Sequence, residues 1–292
     1  MPQYINFYTS KSLAIKSFGL RVKEALTHIL NATNIAPFRV SNIPSWIITE
    51  PVIDLSLRTF KKGSTSDLVF LDKFGEMQHK YNHYCAIYTD GSKDKNKVGA
   101  ACVSGLIQRQ IRLPDSSSVF TAELSALKMA LDIIESSNER CFIIYTDSLS
   151  SLMALEGRNH KHPYIVQLLE TQFKLHTLGK RIIFAWIPSH TGIQGNEKAD
   201  KLAKEALDLD ISERNIPYTD LKTKINIYIK DKWQTSWNLN PQNKLYQHKS
   251  IIEPLNSLPL AKRREDIVLT RARIGHTHLT HGYLLAAEDP PY

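Results

Sequence analysis

Residues 84–93 read YCAIYTDGSK, and residues 141–149 read CFIIYTDSL: an apolar run, then an aromatic residue, Thr, Asp, and Gly or Ser. A short continuous apolar run that stops at turn-forming residues is the pattern of a strand buried on both faces, the kind that helices cover in an α/β sheet. Each run here stops on an aspartate, Asp90 and Asp147. In α/β sheets the functional crevice lies just outside the carboxyl ends of neighbouring parallel strands, so the two aspartates are candidates to face one another there. Asp-Gly and Asp-Ser are also ordinary turn and helix-capping pairs, and either aspartate alone would carry that plainer reading. The repeated frame argues against it.

Outward from the first run, 91–97 is polar and turn-like, and 98–104 and 106–113 form a hairpin pattern around Gly105. Three strands in succession predict an antiparallel meander. Residues 116–118 are placed to cap a helix over 119–136, whose apolar positions Ala126, Leu127, Ala130, Leu131 and Ile134 keep helical spacing. The second run, 141–146, is followed by a short helix to 156, a loop over 157–163, a helix over 164–178 broken by Gly179, and a strand over 181–187. A Gly-containing loop over 188–196 leads to a last helix, 197–209. The order βββαβααβα predicts an α/β fold: a mixed five-stranded sheet, three antiparallel strands then two parallel, flanked by helices. Residues 84–210 form this domain. The flank 1–83 has a weak helical pattern at 13–30 and then Pro37, Pro44 and Pro51, the composition of a packing or connecting segment. Residues 211–292 form a basic extension, helical around 219–237 and 264–273.

Two further acids fall on helices. Glu123 shares the apolar stripe of Ala126, Leu127, Ala130 and Leu131, so its carboxylate is directed at the sheet. Burying it alone costs several kcal/mol, roughly, unless a cation or hydrogen bonds compensate; the plainer alternative is a glutamate favoured near a helix N-terminus. Asp200 shares a helix face with Asn196, four residues earlier. If the four carboxylates converge, each pair at about 4 Å repels by about 1 kcal/mol in water and roughly 4 kcal/mol at an effective dielectric of 20. Hard divalent cations relieve that repulsion. A pair of Mg²⁺ ions about 3.5 to 4 Å apart can activate a water and stabilise a leaving oxygen in phosphodiester hydrolysis.

The chain has 292 residues, 42% hydrophobic and 23% charged, enough for one sizeable core with material around it. No apolar run approaches the roughly 20 residues needed to cross a bilayer, and Gln3, Asn6, Lys11 and Lys16 interrupt the N-terminus, so an intracellular protein without membrane contact is expected. Cys85, Cys102 and Cys141 sit among apolar residues and are expected to be buried free thiols. The net charge is +8, yet residues 84–210 hold 15 basic and 15 acidic residues, and each flank carries +4. Setting aside four metal-compensated acids leaves the domain at +4, compatible with a polyanionic substrate.

With these motifs in place, residues 84–210 resemble the type 1 ribonuclease H family. IYTDGSK, TAEL, IYTDS and WIPSHTGIQGNEKAD follow one another as that family's motifs do. The resemblance implies cleavage of the RNA strand of RNA/DNA hybrids, with Asp90, Glu123, Asp147 and Asp200 as ligands of two Mg²⁺ ions, for which Mn²⁺ can substitute. It implies no small-molecule cofactor. His190, ten residues before Asp200, matches the family's mobile-loop histidine, implying a part in proton transfer or product release. Ser92, Ser148 and Asn196 are candidates for contacts to the hybrid, where 2′-hydroxyls distinguish RNA from DNA.

The direct helix-to-helix loop at 157–163 resembles reverse-transcriptase-associated versions. GRNHKHP and the distal RARIGHTHLTHGYLL are similar to the C-terminal part of non-LTR retrotransposon polyproteins of the Jockey/R1 type. That points to a reverse transcriptase module as partner, to the 1–83 flank as a remnant of the connection to a polymerase, and to a fragment or domesticated remnant. The alternatives are a catalytically idle nucleic-acid-binding remnant of such a polyprotein and a related fold that cuts DNA. His276, His278 and His281 lack a fourth ligand and are not expected to hold metal; Arg263, Arg264, Arg271 and Arg273 suit phosphate contacts.

Overall fold

The structure, a computed structural model, describes residues 34–36, 43–44, 46–158, 162–212, 215–253, 263–275, 277, 281–283, 286–287 and 289. The helical pattern at 13–30, residues 159–161 of the 157–163 loop, and His276 and His278 lie outside the described residues. The chain separates into two compact units, one up to Thr223 and one from Lys224 on.

In the first unit the described elements are β1 (Asn34–Ile35), β2 (Val52–Asp54), α1 (Asp67–Lys80), β3 (Cys85–Asp94), β4 (Lys97–Ser104), β5 (Ile107–Leu113), α2 (Val119–Ser136), β6 (Cys141–Thr146), α3 (Leu149–Glu156), α4 (Pro163–Thr177), β7 (Arg181–Trp186), α5 (Gln194–Glu205) and β8 (Asn215–Ile216). Helix α6 (Tyr218–Asn238) starts in this unit, and α7 (Lys244–His248) and α8 (Arg263–Arg273) belong to the second. The main sheet has the order β2-β7-β6-β3-β4-β5; β3, β4 and β5 are antiparallel neighbours, and β6 and β7 continue parallel to β3. It is the mixed α/β sheet with helical cover expected from the sequence.

One edge differs. The five expected strands are joined by a sixth, β2, parallel to β7 with Val52 opposite Ile183 and Asp54 opposite Ala185. Three residues behind a proline are too few to show alternation, and backbone pairing with a strand some 130 positions away leaves no local trace. The first strand also runs further than its apolar run. Polar Gly91–Asp94 keep pairing with β4 as far as Asp94 opposite Lys97, and the chain turns at Lys95, whose φ is 49°. Asp90 is therefore inside β3, not beyond its end.

Alternation along the central strands splits the core into two layers. Phe142, Ile144, Ile182 and Phe184 face the cluster formed with α2, α3 and α4; Ile143, Tyr145, Ile183 and Ala185 face the other side. That second layer is closed by Leu57 and by Phe74 and Met77 of α1, with Phe74 edge-on to Tyr145 at 5.2 Å. Phe70, Phe74 and Met77, at i, i+4 and i+7, are the buried face of α1. Fully burying each such side chain contributes about 1.5 to 3 kcal/mol. On the same face α5 lies close to β4: a Cβ on Gly99 would stand 2.4 Å from the Ala203 carbonyl oxygen, so only glycine admits that approach.

The three cysteines are free, but only Cys102 is fully buried. Cys85 and Cys141 open β3 and β6, where the strands emerge from helical cover, and are half-exposed, contrary to expectation. Among the described residues no helix is long and apolar enough to cross a membrane.

Candidate metal centre

The parallel ladder between β3 and β6 ends with Thr89 opposite Thr146. Asp90 and Asp147 are the next residue on each strand, at the fork where β3 continues with β4 and β6 gives way to α3. A hydrogen bond from the Trp186 indole N–H to the Asp147 backbone carbonyl, 3.1 Å, holds the fork from the β7 side.

Glu123 arrives from α2. Ser118 caps that helix, its hydroxyl accepting from the Thr121 N–H at 3.1 Å, and Asp220 accepts hydrogen bonds from both the Ser118 N–H (2.9 Å) and hydroxyl (2.8 Å). Gly91 lets the helix rest on the strand: a Cβ there would lie 2.6 Å from the Glu123 nitrogen and 2.9 Å from Ala122. Glu123 stands beyond the first turn of α2 and is 7% exposed, so the helix-terminus alternative does not describe it.

Carboxylate oxygens of Asp90, Glu123 and Asp147 lie within 4.8 Å of one another. Few donors serve them. Gly91 N–H bonds Asp90 and Glu123, and the Asn196 amide donates to Asp147 at 3.4 Å, but Glu123 Oε2 is buried without a hydrogen-bond partner. Burial, reinforced by the charges of Asp147 and Asp200, pushes the Asp90 carboxyl up to about 7. Burial and the charges of Asp90 and Asp147 push Glu123 well above its ordinary range. Asp147 is also raised, by burial, against the opposing Asn196 hydrogen bond and the nearby His190. An orphaned buried oxygen and three mutually repelling hard oxygen donors fit a divalent cation.

The fourth acid is in an adjoining group. Ligand atoms of His190, Glu197 and Asp200 lie within 4.8 Å of one another, and Asp200 accepts from Lys204 Nζ at 2.7 Å. His190 is exposed and has a left-handed backbone, φ 53°. Of the residues expected to meet substrate, Ser92 is half-buried on β3, Ser148 is buried with its hydroxyl 2.8 Å from that of Ser151, and Asn196 is 2% exposed, its amide turned onto Asp147. In this structure Asn196 orients a carboxylate.

Residues 82–208 match the model of the RNase H family. The mixed sheet with its helical cover is consistent with an RNase H-like fold over these residues. Among curated proteins the chain is similar to the Pol polyprotein of equine infectious anemia virus: 35% identical over 127 residues to that of strain Wyoming, and 34% over 127 residues to those of isolates 1369 and CL22. Each match covers 40% of this chain and 10% of the viral protein, so the chain spans about a tenth of the length of the curated relatives it matches.

Three residues of this site escaped the reading of the sequence. Glu197 and Lys204 flank Asp200 at helical spacing, three before and four after, a signal that was present but is common on any charged helix. Gly91 looked like a turn glycine; its role in seating α2 shows only once strand and helix are in contact.

Proposed function

We propose that the chain is a metal-dependent ribonuclease that hydrolyses the RNA strand of RNA/DNA hybrids. The observation that carries this reading is the cluster of two buried carboxylates, Asp90 and Glu123, and the half-buried Asp147, with an orphaned Glu123 oxygen, in a segment that matches the RNase H family. Asp90, Glu123 and Asp147 would hold a divalent cation, and Asp200, whose charge acts on Asp90 and Asp147, would help hold a second, with Mg²⁺ as the physiological ion. When bound, such ions activate a water and stabilise the leaving oxygen of an in-line displacement.

The chain's own residues have separable tasks. Asn196 keeps the Asp147 carboxylate in its orientation. Gly91 seats Glu123 beside Asp90. Lys204 neutralises Asp200 until a cation or phosphate competes for it. His190, exposed at the rim next to Glu197 and Asp200, is placed to exchange a proton with solvent as product leaves.

The viral relatives are Pol polyproteins, and this supports a retroelement context with a reverse transcriptase module as partner. The non-LTR origin rests on the distal sequence motifs. Cleavage of a labelled RNA/DNA hybrid in Mg²⁺ tests the function. No cutting by the wild-type chain, or equal cutting by Asp147→Asn, would sink the proposal; preference for a DNA duplex would redirect it to a DNA-cutting relative.

A further inference from the structure

The loop bearing His190 is anchored at both ends by Ile187 and Ile193, both buried. Their apolar partners include Leu57, Phe74 and Met77, which lie before residue 82 and so outside the segment that matches the RNase H family. Two more contacts reach the loop from the same flank. Lys62 Nζ donates to the Ser189 hydroxyl at 2.8 Å, one residue before His190, and Leu71 of α1 lies against Gly192, within 3.7 Å of where a Cβ would stand. Between these anchors the histidine holds a left-handed backbone, uncommon for a non-glycine residue.

We propose that residues 57–77 are a positioning element for the His190 loop, with Lys62 as its polar pin. The flank seats the loop; the RNase H domain supplies the chemistry. This rests on the ribonuclease reading above, since positioning has a catalytic consequence only if His190 acts in turnover. Lys62 touches neither substrate nor metal, so its effect passes through Ser189 and the loop. Removing the pin frees the histidine while the apolar anchors keep the fold.

The test uses the full chain with Lys62→Met, Lys62→Arg, His190→Ala and the double variant. In Lys62→Met, amide hydrogen exchange at His190–Gly192 should rise severalfold, and kcat on a hybrid in saturating Mg²⁺ should fall by about threefold to tenfold with KM unchanged, the size of one lost hydrogen bond. Lys62→Arg should restore both, and Lys62→Met should cost nothing further in a His190→Ala background. Unchanged exchange would overturn the proposal, as would faster exchange with kcat unmoved, or a loss that multiplies with that of His190→Ala. If the wild-type chain does not cut hybrids, the ribonuclease reading fails by itself, and exchange in Lys62→Met alone decides whether the flank holds the loop.

Discussion

Asp54 and Asp147 both stand at the carboxyl ends of parallel strands, and both are half-buried, yet their environments drive them in opposite directions. Burial raises Asp54, but the hydrogen bonds outweigh it: the Ser56 N–H at 2.9 Å, Tyr81 hydroxyl at 2.7 Å and Lys80 ammonium at 3.0 Å hold its carboxyl well below the ordinary range. Asp147 has one long amide bond and acidic neighbours, and burial keeps it raised. Burial alone says nothing about role; the donor supply does. A carboxylate whose needs are met by the protein is a structural joint, here tying β2 to the end of α1. A set whose needs are unmet could hold a cation.

The largest expected effect separates the two sites by activity. Asp147→Asn should lower hybrid cleavage by more than about 100-fold, beyond what loss of a mere supporting partner costs. Without metal the same variant should melt no lower than wild type, because it removes repulsion, and Mg²⁺ should raise the melting temperature chiefly of wild type. A variant that melts lower in EDTA would put Asp147 in the same class as Asp54. Next in size is Gly91→Ala, which forces α2 off β3 and shifts Glu123; a displacement on the order of 1 Å costs up to about 100-fold in rate. Near-normal cleavage by Gly91→Ala would mean that Glu123 is dispensable.

Asp54→Asn should do the reverse, losing about 1.5 to 3 kcal/mol of stability with or without Mg²⁺, with cleavage per folded molecule preserved in urea-titrated samples. The smallest effect is on pH dependence. In EDTA, Asp90 has a folded value of about 7 against an ordinary 3.8. Its protonated form is favoured by folding, so its contribution is full below about pH 4 and is lost as pH rises through about 7. Asp54, depressed, contributes above the ordinary carboxylate range and loses that contribution as the solution becomes more acidic. Asp90→Asn should therefore flatten the stability profile between pH 4 and 7, and Asp54→Asn should flatten its acid limb. Melting curves across pH in EDTA would show whether the two limbs belong to these residues.

Much of this was legible in the chain. The twin runs ending in Asp90 and Asp147, the stripe that carries Glu123, the helix at 119–136 and the strand at 141–146 came directly from periodicity, because burial against a sheet imposes its period on the residues. The cap at Ser118 was readable for the same local reason. The extent of β3 past Asp90 was not, since a polar strand edge satisfied by backbone pairing leaves no hydropathy signal. Nor was β2, three residues long, or the bond from Lys62 to Ser189 across 127 positions. The helices expected around 219–237 and 264–273 are present at 218–238 and 263–273 because helical hydrogen bonds are local.

By itself, then, the sequence determined the element order, the mixed sheet and the four acids, all consequences of short-range patterning. Tertiary structure alone decided which acids meet. It put Asp90, Glu123 and Asp147 at one fork and Asp200 beside His190 and Glu197, met the needs of Asp54 with three donors, and set the flank against the histidine loop. Which donor reaches which carboxylate depends on the packing of segments far apart in the chain, and no local pattern encodes that.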